Sequence, residues 1–122
     1  MSTILISDSQ PIRSIQNEFT SQFPFLKIEF FSHFHKTNQG SAKKDLISSN
    51  FTLKQARKSH LEGSLEITPS MTVSELERKF RLLFGLSVQV FRKSGSSWLE
   101  TTVTDSWTLE QQNEQGRELS NL

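Results

Sequence analysis

Residues 71–85 read MTVSELERKFRLLFG. Thr72 followed by Glu75 is a capping box, in which the Thr hydroxyl takes the Glu75 N–H and the carboxylate reaches back to the Thr72 N–H. A helix is therefore predicted from Val73. Val73, Leu76, Phe80, Leu83 and Phe84 fall on one apolar stripe, while Glu77, Arg78, Lys79 and Arg81 point elsewhere. Early Glu75 and Glu77 and late Lys79 and Arg81 suit the helix dipole. Gly85 stands where the chain must take positive φ to leave the helix. Side chains this large on one stripe need a sheet to lie on.

Working outward, Leu65 and Ile67 alternate with polar residues and end at Pro69, a strand that feeds the helix. After Gly85, Val88 and Val90 alternate with Gln89 and Phe91. Residues 93–97, KSGSS, form a turn around Gly95, and Trp98 to Val103 read as the returning strand of a hairpin. Thr104 to Ser106 can cap a short last helix, Trp107 to Gln115, that Gly116 ends, leaving a polar tail at 117–122. Upstream, Ser9 caps and Pro11 opens a helix at about 9–23, carrying Ile12, Ile15, Phe19 and Phe23 on one face and stopped by Pro24. Leu26, Ile28, Phe30 and Phe34 then mark one face of a strand of about ten residues, with Lys27, Glu29, Phe31 and His33 on the other. Residues 36–50 have loop composition, and Thr52 to Ser59 suggest a short helix. Ile4 to Ile6 read equally as a strand or an apolar lead-in. No internal repeat or low-complexity segment is evident.

The chain has 122 residues, no cysteine, ten Phe and two Trp. That is the size of a single domain, 1–122, with its apolar content concentrated in large side chains. Disulfides and thiolate metal sites are excluded by composition. The N-terminus lacks a basic region and a long apolar run, so no signal peptide or membrane span is expected, and a cytoplasmic protein is the default. Net charge is +1, but residues 27–60 are strongly basic and the remainder acidic.

The run SLEITPSMTVSELERKF (64–80), the Gly-terminated helix, VQVFRKSGSSWLETT (88–102) and TLEQQN (108–113) together resemble the ubiquitin-like β-grasp arrangement. In that fold a strand and a Pro-containing turn lead to a capped helix crossing the sheet, followed by a hairpin and a short Thr-Leu helical turn. The V..L...F...FG helix and V.VF strand are also similar to a group of small bacterial proteins. The resemblance implies an α+β fold: a β-grasp-like mixed sheet of about four strands crossed by a central helix (73–84), with an additional N-terminal helix and a core spanning about 25–116. An insertion after the first strand and an end at Ser120-Asn121-Leu122 without Gly-Gly set this chain apart from ubiquitin and from its conjugation chemistry.

No residue pattern marks an enzyme. There is no G-x-S-x-G elbow, and Gly85 and Gly95 do not form a phosphate loop. His33, His35, His60 and neighbouring carboxylates lack metal-ligand spacing, so neither metal nor cofactor is expected. What remains is a candidate binding surface: Lys43, Lys44, Lys54, Arg57 and Lys58 in the basic segment, and Phe31, Phe91 and Trp98, beside Lys27 and His33, on the sheet face opposite the central helix. Aromatics interleaved with basic groups can stack unpaired bases. The N-terminal helix, however, has an apolar stripe with no other sheet surface to cover, so it is expected to lie across that face over Phe31, Phe91 and Trp98, an open aromatic face being the alternative. The sequence thus reads as a non-enzymatic intracellular interaction or adaptor module whose partner is another protein, with nucleic-acid binding as the alternative and no membrane association.

Overall fold

The structure is a computed structural model, and it describes residues 2–34 and 39–120. The protein is α+β. In chain order the elements are β1 (Ser2–Ile6), α1 (Ile12–Gln22), β2 (Leu26–Phe31), a 3-10 turn (Lys43–Asp45), α2 (Leu53–Ala56), β3 (Gly63–Ile67), α3 (Val73–Phe84), β4 (Ser87–Ser94), β5 (Ser97–Glu100) and α4 (Leu109–Ser120). The strands form two antiparallel sheets, β1–β3 and β2–β4–β5, in place of the expected mixed sheet of about four strands.

Helix α3 forms where its sequence directs. Glu75 N–H donates to the Thr72 hydroxyl at 3.1 Å, and Gly85 closes the helix at φ 63°. Only this half of the expected capping box is present. Reciprocal boxes form instead at Thr52 with Gln55 and at Thr108 with Gln111. Val73, Leu76, Phe80 and Phe84 are buried, but Leu83 turns half outward.

The two halves of the chain repeat one another, which the sequence reading missed. In β1–β3, Ile4 pairs with Leu65, while Ser2 pairs with Ile67 and Ile6 with Gly63. Exchanging equivalent residues of the two strands returns the same ladder. The β2–β4 ladder behaves alike, centred on Glu29 paired with Gln89 and flanked by Ile28–Val90 and Phe30–Val88. Both ladders are therefore isologous about one pseudo-twofold axis, the arrangement by which identical subunits form a dimer.

The backbone bonds repeat in the same way. Ile12 N–H donates to Phe51 O and Val73 N–H to Trp107 O, while Leu53 N–H donates to Gln10 O and Leu109 N–H to Met71 O. Lys54 to Asp8 and Glu110 to Pro69 are a further such pair. In the core, Ile4, Ile6, Ile12, Ile15, Phe19, Phe23, Leu26, Ile28, Phe30 and Leu53 answer in order to Leu65, Ile67, Val73, Leu76, Phe80, Phe84, Leu86, Val88, Val90 and Leu109. All are buried in one continuous cluster. Each half alone would leave one side of its apolar layer bare, and the other half covers it.

This symmetry decides where the N-terminal helix goes. Helix α1 is the counterpart of α3 and packs on β1 and on the inner face of β2, placing Ile12, Ile15, Phe19 and Phe23 in the shared core. It does not cover the opposite face over Phe31, Phe91 and Trp98. Other expectations shift at element ends. Strand β2 stops at Phe31, and Phe34 is exposed. Pro11, not Ser9, is the α1 N-cap. Helix α4 runs through Gly116 to Ser120, so residues 117–120 are helical and not a frayed tail. Gly116 is retained inside the helix because a Cβ there would meet Phe25 Cβ at 2.9 Å and Arg92 Cγ at 3.2 Å. Residues 36–38 of the expected loop, His35, and the end of the tail at 121–122 lie outside the described residues.

Candidate functional site

Strand alternation places Leu26, Ile28, Phe30, Val88 and Val90 on the core face and Lys27, Glu29, Phe31, Gln89, Phe91, Lys93, Trp98 and Glu100 on the outer face. The segment 39–46 crosses part of this outer face. Ser41 Oγ donates to Gln89 Oε1 at 3.4 Å, and Leu46 bridges to Phe31, whose ring is thereby buried. Gly40 lies against the Glu100 carboxylate, which would have to move aside for a side chain there. Between this segment and β5 a groove of about 460 Å³ remains, lined by Lys27, Phe31, Lys43, Leu46, Phe91 and Trp98, with Glu29, Ser41 and Glu100.

At the groove's centre the Lys27 ammonium lies 5.5 Å from the Phe91 ring centroid and 5.1 Å from that of Trp98. Its charge is held by the ring quadrupoles and by Glu29, 3.7 Å away. Such contacts fix a long side chain that would otherwise sample many rotamers, so the two half-exposed rings and the cation form a preset surface. The mixture of two lysines with two carboxylates makes the groove amphoteric. A second hollow of about 300 Å³ lies by the start of α3, bounded by Phe34, Ser74, Arg78, Arg81 and Ser87, with the Glu77 carboxylate accepting from Val90 N–H at 3.2 Å.

Of the candidates read from sequence, Phe31, Phe91, Trp98 and Lys43 come together in the groove, while Lys44, Lys54 and Lys58 are exposed elsewhere. Arg57 is a correction to the basic patch: its side chain is fully buried and so has no access to a ligand's phosphates. Its guanidinium donates to Asp8 Oδ1 at 2.9 Å and 3.3 Å and to Phe84 O at 2.8 Å. Asp8 also accepts from His60 Nδ1 at 2.8 Å. Burial pushes the Asp8 carboxyl up, but the hydrogen bonds and charges of Arg57 and His60 outweigh it and hold the group below its ordinary value. The role is structural and symmetric. Arg57 reaches from the first half to the helix-to-strand turn of the second, and Asn113 Oδ1 reaches from the second half to Phe25 N–H in the same turn of the first, at 2.9 Å. His33 lies 3.2 Å from Asp45, and no three metal-ligating side chains converge among the described residues.

Lys27 stands beside the aromatics as the alternation implies, though outside the candidate set, and Glu100 is a groove residue that the aromatic pattern did not single out. The signal that finds them is the repeat. Phe31 answers to Phe91 and Glu29 to Gln89, but Lys27 answers to Ser87, Lys44 to Trp98 and Leu46 to Glu100. Lys27 and Ser87 hold the same ladder position, and Leu46 and Glu100 pair with Phe31 and Phe91 alike, whereas Lys44 lies in the 3-10 turn and Trp98 in β5; the ladder therefore does not itself demand a Lys at 27 or a Glu at 100.

No protein-family profile, characterised protein or solved structure matches the chain. Among the described residues no helix is long and apolar enough to cross a membrane.

Proposed function

We propose that this protein is a non-enzymatic intracellular interaction module, built from two repeated halves, whose working surface is the outer groove around Lys27, Phe91 and Trp98. The observation that carries this reading is the break in the repeat. The interior residues of the two halves match, whereas on the outer face Lys27 of the first half and Trp98 and Glu100 of the second stand where the other half has Ser87, Lys44 and Leu46. Half-exposed Trp and Phe beside a fixed cation supply the apolar area and polar handles that protein interfaces concentrate at their centres. Glu29 and Glu100 in the same groove repel phosphate, and Arg57 is turned inward, so both weigh against nucleic acid as the partner.

The test is site-specific photocrosslinking in the native cell, with the photoreactive residue at Lys43 in the groove or at Arg78 beside the second hollow. A protein adduct formed from Lys43, lost with Trp98→Ala and not formed from Arg78, is expected. An adduct that survives Trp98→Ala, or that forms only from Arg78, refutes the assignment. An adduct removed by nuclease moves the reading to nucleic acid.

A further inference from the structure

We infer that the free edge of β5 pairs with the β5 edge of a second copy of this chain, and that each groove is completed by a residue of the other copy. The β4–β5 hairpin turns through Gly95 and Ser96, with Ser94 paired to Ser97 and Arg92 to Leu99. Thr101 N–H then donates to Val90 O, continuing the alternation. In this register Ser97, Leu99 and Thr101 bond inward to β4, while Trp98 and Glu100 direct their N–H and C=O groups away from it. No other described residue outside the hairpin bonds these groups.

Elsewhere the sheet's edges are closed. On β2, Gln16 Nε2 donates to Ile28 O at 2.8 Å and Thr20 Oγ1 to Leu26 O at 3.0 Å, and Ile47 N–H donates to Phe30 O. On β4, beyond the reach of β5, Glu77 accepts from Val90 N–H. Strand β5 is short and ends in the charged Glu100, but it has no proline, no lysine and no bulge, and it presents Leu99 half-exposed.

The occupant follows from the way this chain already pairs its strands. Both β1–β3 and β2–β4 join equivalent strands antiparallel about a twofold axis. Applied to β5, the same operation with Leu99 on the axis sets Leu99 against Leu99 and Trp98 against Glu100 of the second copy. The outward N–H and C=O groups then meet one another, and no like charges stand directly opposite. The result is one continuous sheet, β2–β4–β5 joined to β5–β4–β2. Glu100 of the second copy comes to lie beside Trp98 at the groove's rim, and two grooves share one face.

Sedimentation velocity on the full chain across a concentration series tests this, with circular dichroism and Trp emission as controls for folding. The expected result is a concentration-dependent dimer. Glu100→Pro removes an outward N–H without touching the β4 ladder and abolishes the dimer, while Glu100→Gln retains it. Leu99→Lys, which places like charges opposite each other, weakens it by about tenfold or more. A chain that stays monomeric up to millimolar concentration overturns the inference, as does a dimer indifferent to both Glu100→Pro and Leu99→Lys. Either result leaves the groove as a surface of one copy, whose test by crosslinking is independent.

Discussion

Removing the Phe80 ring tests the core and the repeat at once. Phe80 is fully buried and meets Phe30 edge-on, with centroids 5.9 Å apart and planes at 83°. Phe80→Ala should destabilise the protein by about 3–5 kcal/mol, which combines lost transfer energy with an unfilled cavity. Of this, about 0.5–1.5 kcal/mol reflects the aromatic pair. Phe19 occupies the equivalent place in the first half and stacks tilted on Phe23 at 5.4 Å, so Phe19→Ala should fall in the same range of about 3–5 kcal/mol. Leu83, expected on the same stripe but 49% exposed, should cost less than about 1 kcal/mol on truncation to Ala. In urea, a loss of about 3 kcal/mol lowers the midpoint by about 1 M or more at the slopes usual for small domains. Because the buried residues of both halves form one cluster, each Phe variant should shift a single transition. An unchanged midpoint for Phe80→Ala, or two transitions of which each variant moves only one, would refute the shared core.

Other expectations concern the seams and caps. Thr52→Ala and Thr108→Ala should each cost about 1 kcal/mol, read from denaturation midpoints, since each Thr caps a helix in equivalent surroundings; Thr72→Ala, which loses a single hydroxyl bond, should cost about as much. Arg57→Ala leaves Phe84 O without its buried donor and Asp8 with His60 alone, and should lower the denaturation midpoint in the same assay. Because the folded-state Asp8 carboxyl is held below its ordinary value, its contribution is present above the unfolded value and is lost as pH falls through the folded one. Stability of the wild type should therefore decline below about pH 4 more steeply than that of Asp8→Asn, and parallel acid limbs would contradict the clamp. Gly116→Leu forces a side chain into Phe25 and Arg92 and should lower the thermal midpoint despite leucine's better helix propensity.

Helix α3 was legible in the sequence because its cap, stripe, dipole charges and terminal Gly85 all agree. The hairpin was legible from Gly95, which takes φ 59°. The repeat was hidden for physical reasons. Packing requires only that equivalent core positions be apolar, so Ile15 stands for Leu76 and Phe30 for Val90. Length changes also fall between elements: 61 residues separate Phe19 from Phe80, 60 separate Phe30 from Val90, and 54 separate Leu46 from Glu100. Periodicity alone sees each half separately, and so it assigned α1 to the outer face when α1 in fact completes the inner core. The burial of Arg57 could not be read locally, because its partners Asp8 and Phe84 belong to distant segments. Of the groove, the aromatic members were visible as alternate strand residues. Its basic members were not separable from solvated lysines until the fold brought Lys27 between Phe91 and Trp98.

That residues breaking the repeat serve recognition and not folding is tested most directly by making the two halves alike at those places. A variant carrying Lys27→Ser, Trp98→Lys and Glu100→Leu gives each of these positions the residue its counterpart carries in the other half. Its unfolding free energy and its photocrosslinking from Lys43 should be measured side by side. Stability within about 1 kcal/mol of the parent is expected, together with loss of the adduct, since what the fold loses is surface contact, the two cation–π contacts of Lys27 and its half-exposed ion pair with Glu29. A variant destabilised by several times that amount, or a stable variant that crosslinks as before, would contradict it.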